Sequence, residues 1–348
     1  MKQPIKIAVG ATGDSWEERF STALDQRRAQ GVPLRYDVVN LHRHDWLAAV
    51  MPYDVVLWKP RTMGVEGALH FKEKIYFLEK HVGKLVVPNF STVWHFESKV
   101  AQSYLLALER VPTPATIASF DFRDAADELD RSQMPLVFKQ GEGAGSRNVQ
   151  LVRSRRKAAR LLETAFCGQL FRETRLRSKS WLDTIVHAVG RRWFWNRLLC
   201  HQIGKEPAGY LYWQEFVPAN EADLRITVIG CRHAYGFWRN NRPHDFRASG
   251  SGRIDFQRAV PEAPLRCCLD LNRRLQFDSM AYDILFKGDD FVINEISYGY
   301  VDSAPYQAAG HYELADDGTL SFIEGHVWPE ALWVDWALER AAAAFPSD

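Results

Sequence analysis

Two apolar runs, Met280–Phe286 and Asp290–Glu295, flank the turn Lys287-Gly288-Asp289-Asp290, and each carries a carboxylate. Asp283 and Glu295 stand twelve residues apart. A chain that folds these runs as neighbouring strands sets the two acids against each other across a hairpin. Both acids are flanked by apolar residues, where an unpaired charge is costly. Facing carboxylates can hold Mg²⁺ together with nucleotide phosphates, because that ion takes a few carboxylates plus phosphate and water. Taken alone, the feature is equally a solvated acidic hairpin.

Four other features precede the hairpin in order. Ser98-Lys99 opens a helix. Pro135-Leu136-Val137-Phe138-Lys139 reads as a strand ending in lysine, followed by Gly141-Glu142-Gly143-Ala144-Gly145-Ser146. Glycines let backbone N–H groups approach phosphate oxygens, and a lysine adds positive charge. No G-K-[ST] closes this loop, so it is not a Walker A sequence, and a plain glycine hairpin has the same spelling. Trp213-Gln214-Glu215-Phe216-Val217 is an acidic-apolar strand end able to offer a carboxylate and backbone groups to adenine. Asp223-Leu224-Arg225 then leads into another apolar strand.

The surrounding pattern changes twice along the chain. Through residue 95, short apolar runs (Ile5–Val9, Tyr36–Asn40, Asp54–Trp58, Lys84–Pro88) alternate with helical stretches (Trp16–Gln30, Gly67–Glu79). That alternation predicts a parallel α/β sheet. A helix is expected from about Phe96 to Arg110, ending before Val111-Pro112-Thr113-Pro114. From Leu136 the strands crowd together (Leu136–Lys139, Val149–Val152, Tyr210–Phe216, Leu224–Ile229, Ala234–Arg239, then the hairpin), as in an antiparallel sheet. Residues 154 to about 206 interrupt them with arginine, tryptophan and phenylalanine. This stretch is read as a helical insertion with its aromatics inward and its arginines solvated, in preference to a surface for a phosphorylated ligand, a membrane or nucleic acid. Trp328–Ala344 reads as a terminal helix.

Composition removes several function classes. The 348 residues are 46% hydrophobic, enough for two or three domains, and 44 basic against 43 acidic side chains leave a net charge of +1. Such balance speaks against a general nucleic-acid or membrane-surface role. Five cysteines without a C-x-x-C fit a reducing cytosol better than a disulfide or zinc framework. The eleven histidines form no zinc motif. No apolar run reaches the length of a membrane span, and Ile5–Gly10 looks like a first strand, not a signal peptide. A cytoplasmic protein is expected.

The ordered set resembles the ATP-grasp superfamily, most closely the branch with glutathione synthetase and the ribosomal-protein glutamate ligases. The resemblance covers roughly residues 96 to 305 and implies an α/β and α+β fold, in which a parallel N-terminal domain precedes two α+β lobes that clamp the nucleotide. The corresponding spans are 1–95, 96–212 with the insertion at about 154–206, and 213–348 with the Mg²⁺ site and terminal helix. By this resemblance Lys99 and Lys139 contact ATP phosphates under the loop Gly143, Ala144, Gly145 and Ser146. Glu215, Phe216 and Val217 take the adenine edge, and Asp223 the ribose. Arg247, Lys139 and Arg225 serve the transferred phosphate, and Asp283, Glu295 and Ser297 hold Mg²⁺. Ser297 departs from the family, which usually has asparagine there.

The implied activity is ATP-dependent ligation of a carboxylate to an amine through an acylphosphate. A kinase on the same fold and a non-catalytic nucleotide-binding protein are the alternatives. The spelling K-x-G-x-G-A-G-S-x-N-V over Lys139–Val149 is also similar to ATP-grasp proteins of bacterial surface-polysaccharide pathways, which implies a sugar acid or glycan-linked carboxylate as substrate. The partners expected are that carboxylate and an amine, with no nucleic acid; a homo-oligomer is compatible with the sequence.

Overall fold

The computed structural model describes residues 3–60, 64–139, 149–167, 189, 191, 194–195 and 208–345, side chains 64–69 excepted. They belong to two compact units, one built from Met1–Gln102 and Asn220–Asp348, the other from Ser103–Ala219.

The first unit begins with four parallel strands, β1 (Ile5–Gly10), β2 (Leu34–Val39), β3 (Val55–Leu57) and β4 (Leu85–Val87), in the order β2-β1-β3-β4. All three β3 residues are buried, as the uninterrupted apolar spelling of a strand covered on both faces requires. Asp14 caps the helix Ser15–Ala29 by accepting from the Trp16 N–H, with Glu17 and Glu18 in its first turn and Arg27 and Arg28 in its last. That charge order suits the helix dipole.

The helix expected from Phe96 to Arg110 runs from Lys99 to Leu108, and a separate short helix, Phe90–Val93, precedes it. Glu97 lies between them with φ of 64°, a left-handed conformation that breaks helical continuity. Ser98 restarts the helix by accepting from the Ala101 N–H at 3.2 Å.

The second unit is an antiparallel sheet of β5 (Thr116–Ser119), β6 (Leu136–Lys139), β7 (Val149–Val152) and β8 (Leu211–Glu215), ordered β5-β8-β6-β7. Its core joins Leu136, Phe138, Val152 and Trp213 to Ala125 and Leu129 of the helix Phe122–Arg131 and to Ala158 and Leu162 of the helix Arg155–Ala165. Strand β8 stays wholly in this sheet, so the chain leaves the unit after Ala219, seven residues beyond the break expected at 212. Most of the basic aromatic stretch, and Gly143 to Ser146 of the glycine-rich loop, lie outside the described residues.

Back in the first unit, β9 (Ala222–Ile229), β10 (His233–Asn240), β12 (Ser279–Lys287), β13 (Asp290–Ser297), β14 (Gly310–Leu314) and β15 (Leu320–Glu324) form an antiparallel sheet ordered β13-β12-β9-β10-β14-β15, with β11 (Ile254–Asp255) beside β10. The final helix, Pro329–Ala344, buries Trp333, Val334, Ala337 and Ala341 in one core with Val9 of the N-terminal sheet, Trp16 and Phe20 of the helix Ser15–Ala29, and Ile229 and Tyr235 of this sheet. Arg27 clasps Asp335 of that helix through two bonds of 2.5 and 2.7 Å. Buried Asp278 accepts from Trp336 Nε1 at 2.7 Å, from Arg340 at 2.8 Å and from the Asn89 N–H at 2.5 Å. Among the described residues no helix is long and apolar enough to cross a membrane.

Candidate functional site

Alternation along a strand puts residues i and i+2 on one face, and strand register decides which of them meet. Asp283 on β12 stands opposite Arg225 on β9 and opposite Glu295 on β13, while Asp223 on β9 stands opposite Arg239 on β10. Ser297 stands opposite Ala281, two residues from Asp283. Four neighbouring strands thus carry Arg239, Asp223, Arg225, Asp283, Glu295 and Ser297 on one face. The register slips between Asp283 and Ile284, where Asn294 is the extra residue of a bulge. Bulges twist a strand and re-aim its side chains, and this one sits at the two acids.

The side chains form a continuous ionic ladder. Arg225 binds Asp283 through Nε at 2.8 Å and a terminal nitrogen at 2.9 Å. Arg239 binds Asp223 in the same forked way at 2.7 and 2.6 Å, and also reaches Asp283 at 2.8 Å. The next rung is Lys99, whose Nζ lies 2.9 Å from Glu295 Oε1. Burial works to raise the Asp283 pKa, but Arg225 and Arg239 outweigh it and hold the carboxyl well below the usual carboxylate range. Burial likewise works against the Lys99 ammonium, and Glu295 more than restores it. Asp283 and Lys99 are therefore charged at neutral pH, while burial raises the Asp223 pKa against the pull of Arg239; charge in so desolvated a setting acts more strongly than in water.

Asp283 and Glu295 meet as the sequence predicts. Asp283 has both oxygens on Arg225 and Arg239, whereas the Glu295 side chain is 36% exposed, so Glu295 is the carboxylate of the two more open to an ion whose other ligands are phosphate and water. Among the described residues no group of three or more His, Cys, Asp or Glu converges to cage a metal from protein alone. The Ser297 hydroxyl accepts from the Gly299 N–H at 3.1 Å, so its oxygen already closes a turn. Asp223, expected at a ribose, has both oxygens on Arg239. Arg247 lies in the loop after β10, its guanidinium forked onto Asp245 at 2.6 to 3.0 Å.

In the second unit, Lys139 ends β6 and is buried. Strand register sets Gln214 opposite Val137 and Glu215 opposite Leu136, so Gln214, and not Glu215, shares the face of Lys139. Glu215 holds the Ala115 carbonyl through its N–H at 2.8 Å, and Val217 is buried two residues on. Gln214 was not among the residues expected from sequence. Its Nε2 donates to Thr116 Oγ1 at 2.9 Å, while its Oε1 is buried and meets no donor among the described residues. The available signal was a glutamine directly after the apolar run Leu211–Trp213 and still within the strand.

Lys59 was also missed. It follows β3 at the carboxyl edge of the parallel sheet, beside the place where strand order reverses between β1 and β3, the usual ligand side of such sheets. Its ammonium sits 4.5 Å from the Trp16 ring, 5.3 Å from Tyr298 and 5.5 Å from Tyr300. Burial pulls its pKa down to about 8, against the pull of Asp14, Glu330 and Asp302.

No protein-family model matches the chain. The alpha-aminoadipate–LysW ligase LysX of Saccharolobus solfataricus is 28% identical over 217 residues, which span 61% of this chain and 64% of that ligase. A RimK domain ATP-grasp protein from Sphaerobacter thermophilus superposes with a TM-score of 0.54 at 15% identity, covering 96% of this chain and 99% of its own. The ATP complex of D-alanine–D-alanine ligase from Bacillus anthracis gives 0.54 at 13% identity, with 99% and 100% covered. The chain thus shares the fold of these solved structures, the first of them an ATP-grasp protein, and is similar in sequence to the LysX ligase.

Proposed function

We propose that the chain is an ATP-dependent carboxylate–amine ligase. The observation that carries the reading is the ladder Arg239–Asp223, Arg225–Asp283 and Glu295–Lys99, laid by register across β10, β9, β12 and β13 on one face. In this reading the array meets polyphosphate and neutralises charge in transfer, the task that dominates phosphoryl-transfer catalysis.

In this reading a substrate carboxylate oxygen attacks the γ-phosphorus of ATP, the bond to ADP breaks, and an acylphosphate forms. An amine then attacks the acyl carbon, an amide forms, orthophosphate leaves, and the amine gives up a proton. Lys99, Lys139 and Gly143 to Ser146 take the roles of phosphate contacts. Arg225 and Arg247 meet the charge on the transferring group. Glu295, Asp283 and Ser297 would hold Mg²⁺, which when bound would screen the phosphate charge. Glu215, Phe216 and Val217 line the adenine edge, and the buried acceptor Gln214 Oε1, without a donor among the described residues, takes a base N–H. Asp223 accepts from the ribose with the lone pairs Arg239 leaves. No nucleophilic side chain is needed.

The substrate reading shifts from a sugar acid to an amino acid. The names of the relatives speak of alpha-aminoadipate and D-alanine, and none supports a polysaccharide pathway.

Calorimetric titration of Mg-ADP into wild type and Glu295→Ala tests the site. Binding that needs Mg²⁺ and weakens about tenfold or more in the variant is expected. Absence of nucleotide binding to folded wild-type protein would overturn the reading. Orthophosphate with a new amide marks the ligase; a stable phosphorylated product marks a kinase instead.

A further inference from the structure

At the end of β9 and β10 away from their connecting turn lies an open cavity of about 510 Å³. Its wall is three backbone segments zipped together. The Asn241 N–H binds the Glu221 carbonyl at 2.8 Å, the Asn240 N–H binds the Arg253 carbonyl at 2.8 Å, and Asn241 Nδ2 binds the Asn220 carbonyl at 2.7 Å. The loop beyond is closed on itself by the Arg242 N–H on the Arg247 carbonyl and the Asp245 N–H on the Arg242 carbonyl, both 3.1 Å. His244 holds a left-handed φ of 59° at its tip, a conformation that persists only where the surroundings impose it.

Two lining arginines are anchored by backbone carbonyls, although the Arg242 charge also acts on the nearby Asp245 carboxyl. Arg242 gives one terminal nitrogen to the Ser249 carbonyl at 2.7 Å, and Arg253 gives one to the Asn241 carbonyl at 2.9 Å. Neither forms an ion pair with a carboxylate among the described residues. Gly250 makes room for this: a Cβ there would stand 3.0 Å from the Arg242 guanidinium. Of the two lining acids, Asp245 is already forked by Arg247, and Glu221 carries no basic partner among the described residues. A guanidinium fixed by one arm keeps its remaining donors for a planar oxyanion.

We propose that this cavity binds an amino acid, its carboxylate on Arg242 and Arg253 and its ammonium on Glu221. The proposal gives the amino acid of the ligase reading a binding site and rests on that reading. The same cavity would serve the amino acid whether it is activated or acts as the attacking amine.

Glutamate and glutarate, as probes, are titrated calorimetrically without nucleotide into wild type, Arg242→Gln, Arg253→Gln and Glu221→Gln. Saturable glutamate binding is expected, weakened about tenfold or more by either arginine substitution, the loss of one charge-assisted contact. Glutarate, lacking the ammonium, binds wild type more weakly than glutamate, and Glu221→Gln removes that preference. Unchanged Mg-ADP affinity shows that each variant is folded. No saturable binding to wild type, or equal affinity in the arginine variants, overturns the proposal. Failure of the nucleotide reading has a different signature: Mg-ADP does not bind wild type, whatever the amino-acid probes do.

Discussion

Arg239 is the member of the ionic ladder whose loss should cost most. Its side chain is only 8% exposed and serves two buried carboxylates, Asp223 and Asp283. Arg239→Met leaves Asp223 without a guanidinium, whereas Arg225→Met leaves Asp283 still bound to Arg239. Breaking a buried pair by removing one partner costs about 3–5 kcal/mol. Urea unfolding at pH 7 should show a loss of that order for Arg239→Met and a smaller one for Arg225→Met; the reverse ranking would refute the ladder. Because the Asp283 pKa is held low, its stabilisation is present above the unfolded carboxylate value and lost as pH falls through the folded one. The deficit should therefore narrow in acid.

Glu330 has the opposite sign. Burial, aided by the neighbouring Asp302 carboxyl, raises its pKa to about 8, and its Oε2 meets no donor among the described residues. The folded state thus keeps a proton that the unfolded chain gives up near pH 4.5. Its contribution is complete below that value and is lost as pH rises towards 8. Glu330→Gln keeps the shape and removes the titration. Wild type should lose more melting temperature between pH 5 and pH 8 than the variant, and parallel curves would exclude the shift.

Local sequence showed which residues carry charge but not always whom they meet. The facing of Asp283 and Glu295 was legible because a hairpin fixes register over a short span. The Asp223–Arg239 pair, the Asp278 cluster and the cage around Lys59 were not, since each joins residues whose meeting depends on a strand register or a helix packing that local spacing does not contain.

At the scale of elements, the strands that lie next to the site are the ones that sequence spelled most clearly. β6 and β7 were expected at the bounds observed, and β9, β10, β12 and β13 within two residues, because each is an apolar run between turns. β14 and β15 went unread: His311, Glu313, Ser321 and Glu324 dilute their apolar pattern, and most of β15 is exposed. The helix Phe122–Arg131 was hidden by the same dilution, since only Ala125 and Leu129 of its ten residues are buried. That helix leans on its cap. Asp121 accepts from the Arg123 and Asp124 N–H groups at 2.8 and 2.9 Å. Asp121→Ala should cost about 1 kcal/mol, read as a lower denaturation midpoint with an unchanged slope, and Asp121→Ser should recover most of it.

For the molecule as a whole, Asp278 joins distant parts of the first unit. It binds Asn89 just after β4, Trp336 and Arg340 of the final helix, and precedes β12 in the chain. Burial works to raise its pKa, with Arg340 the leading opposing influence. Arg340→Met should strand this acid and destabilise the unit by about 3–5 kcal/mol. Amides of β1 and β4 should then exchange with solvent faster together with those of β12. Loss of protection confined to the final helix would show that Asp278 does not unite the sheets.

The first unit is assembled from both ends of the chain, and that has a consequence for birth on the ribosome. Val9, Trp16 and Phe20 belong to the same core as Trp333 and Val334, so the earliest strands are finished long before the helix that covers them exists. At about 5–20 residues per second, the interval from residue 102 to residue 333 is roughly 12–46 s. Throughout it the N-terminal sheet must wait with an apolar face unpaired, while residues 103–219 can already have emerged as a continuous stretch. A nascent chain stalled before residue 328 should accordingly hold protease resistance in its middle portion and not at its start.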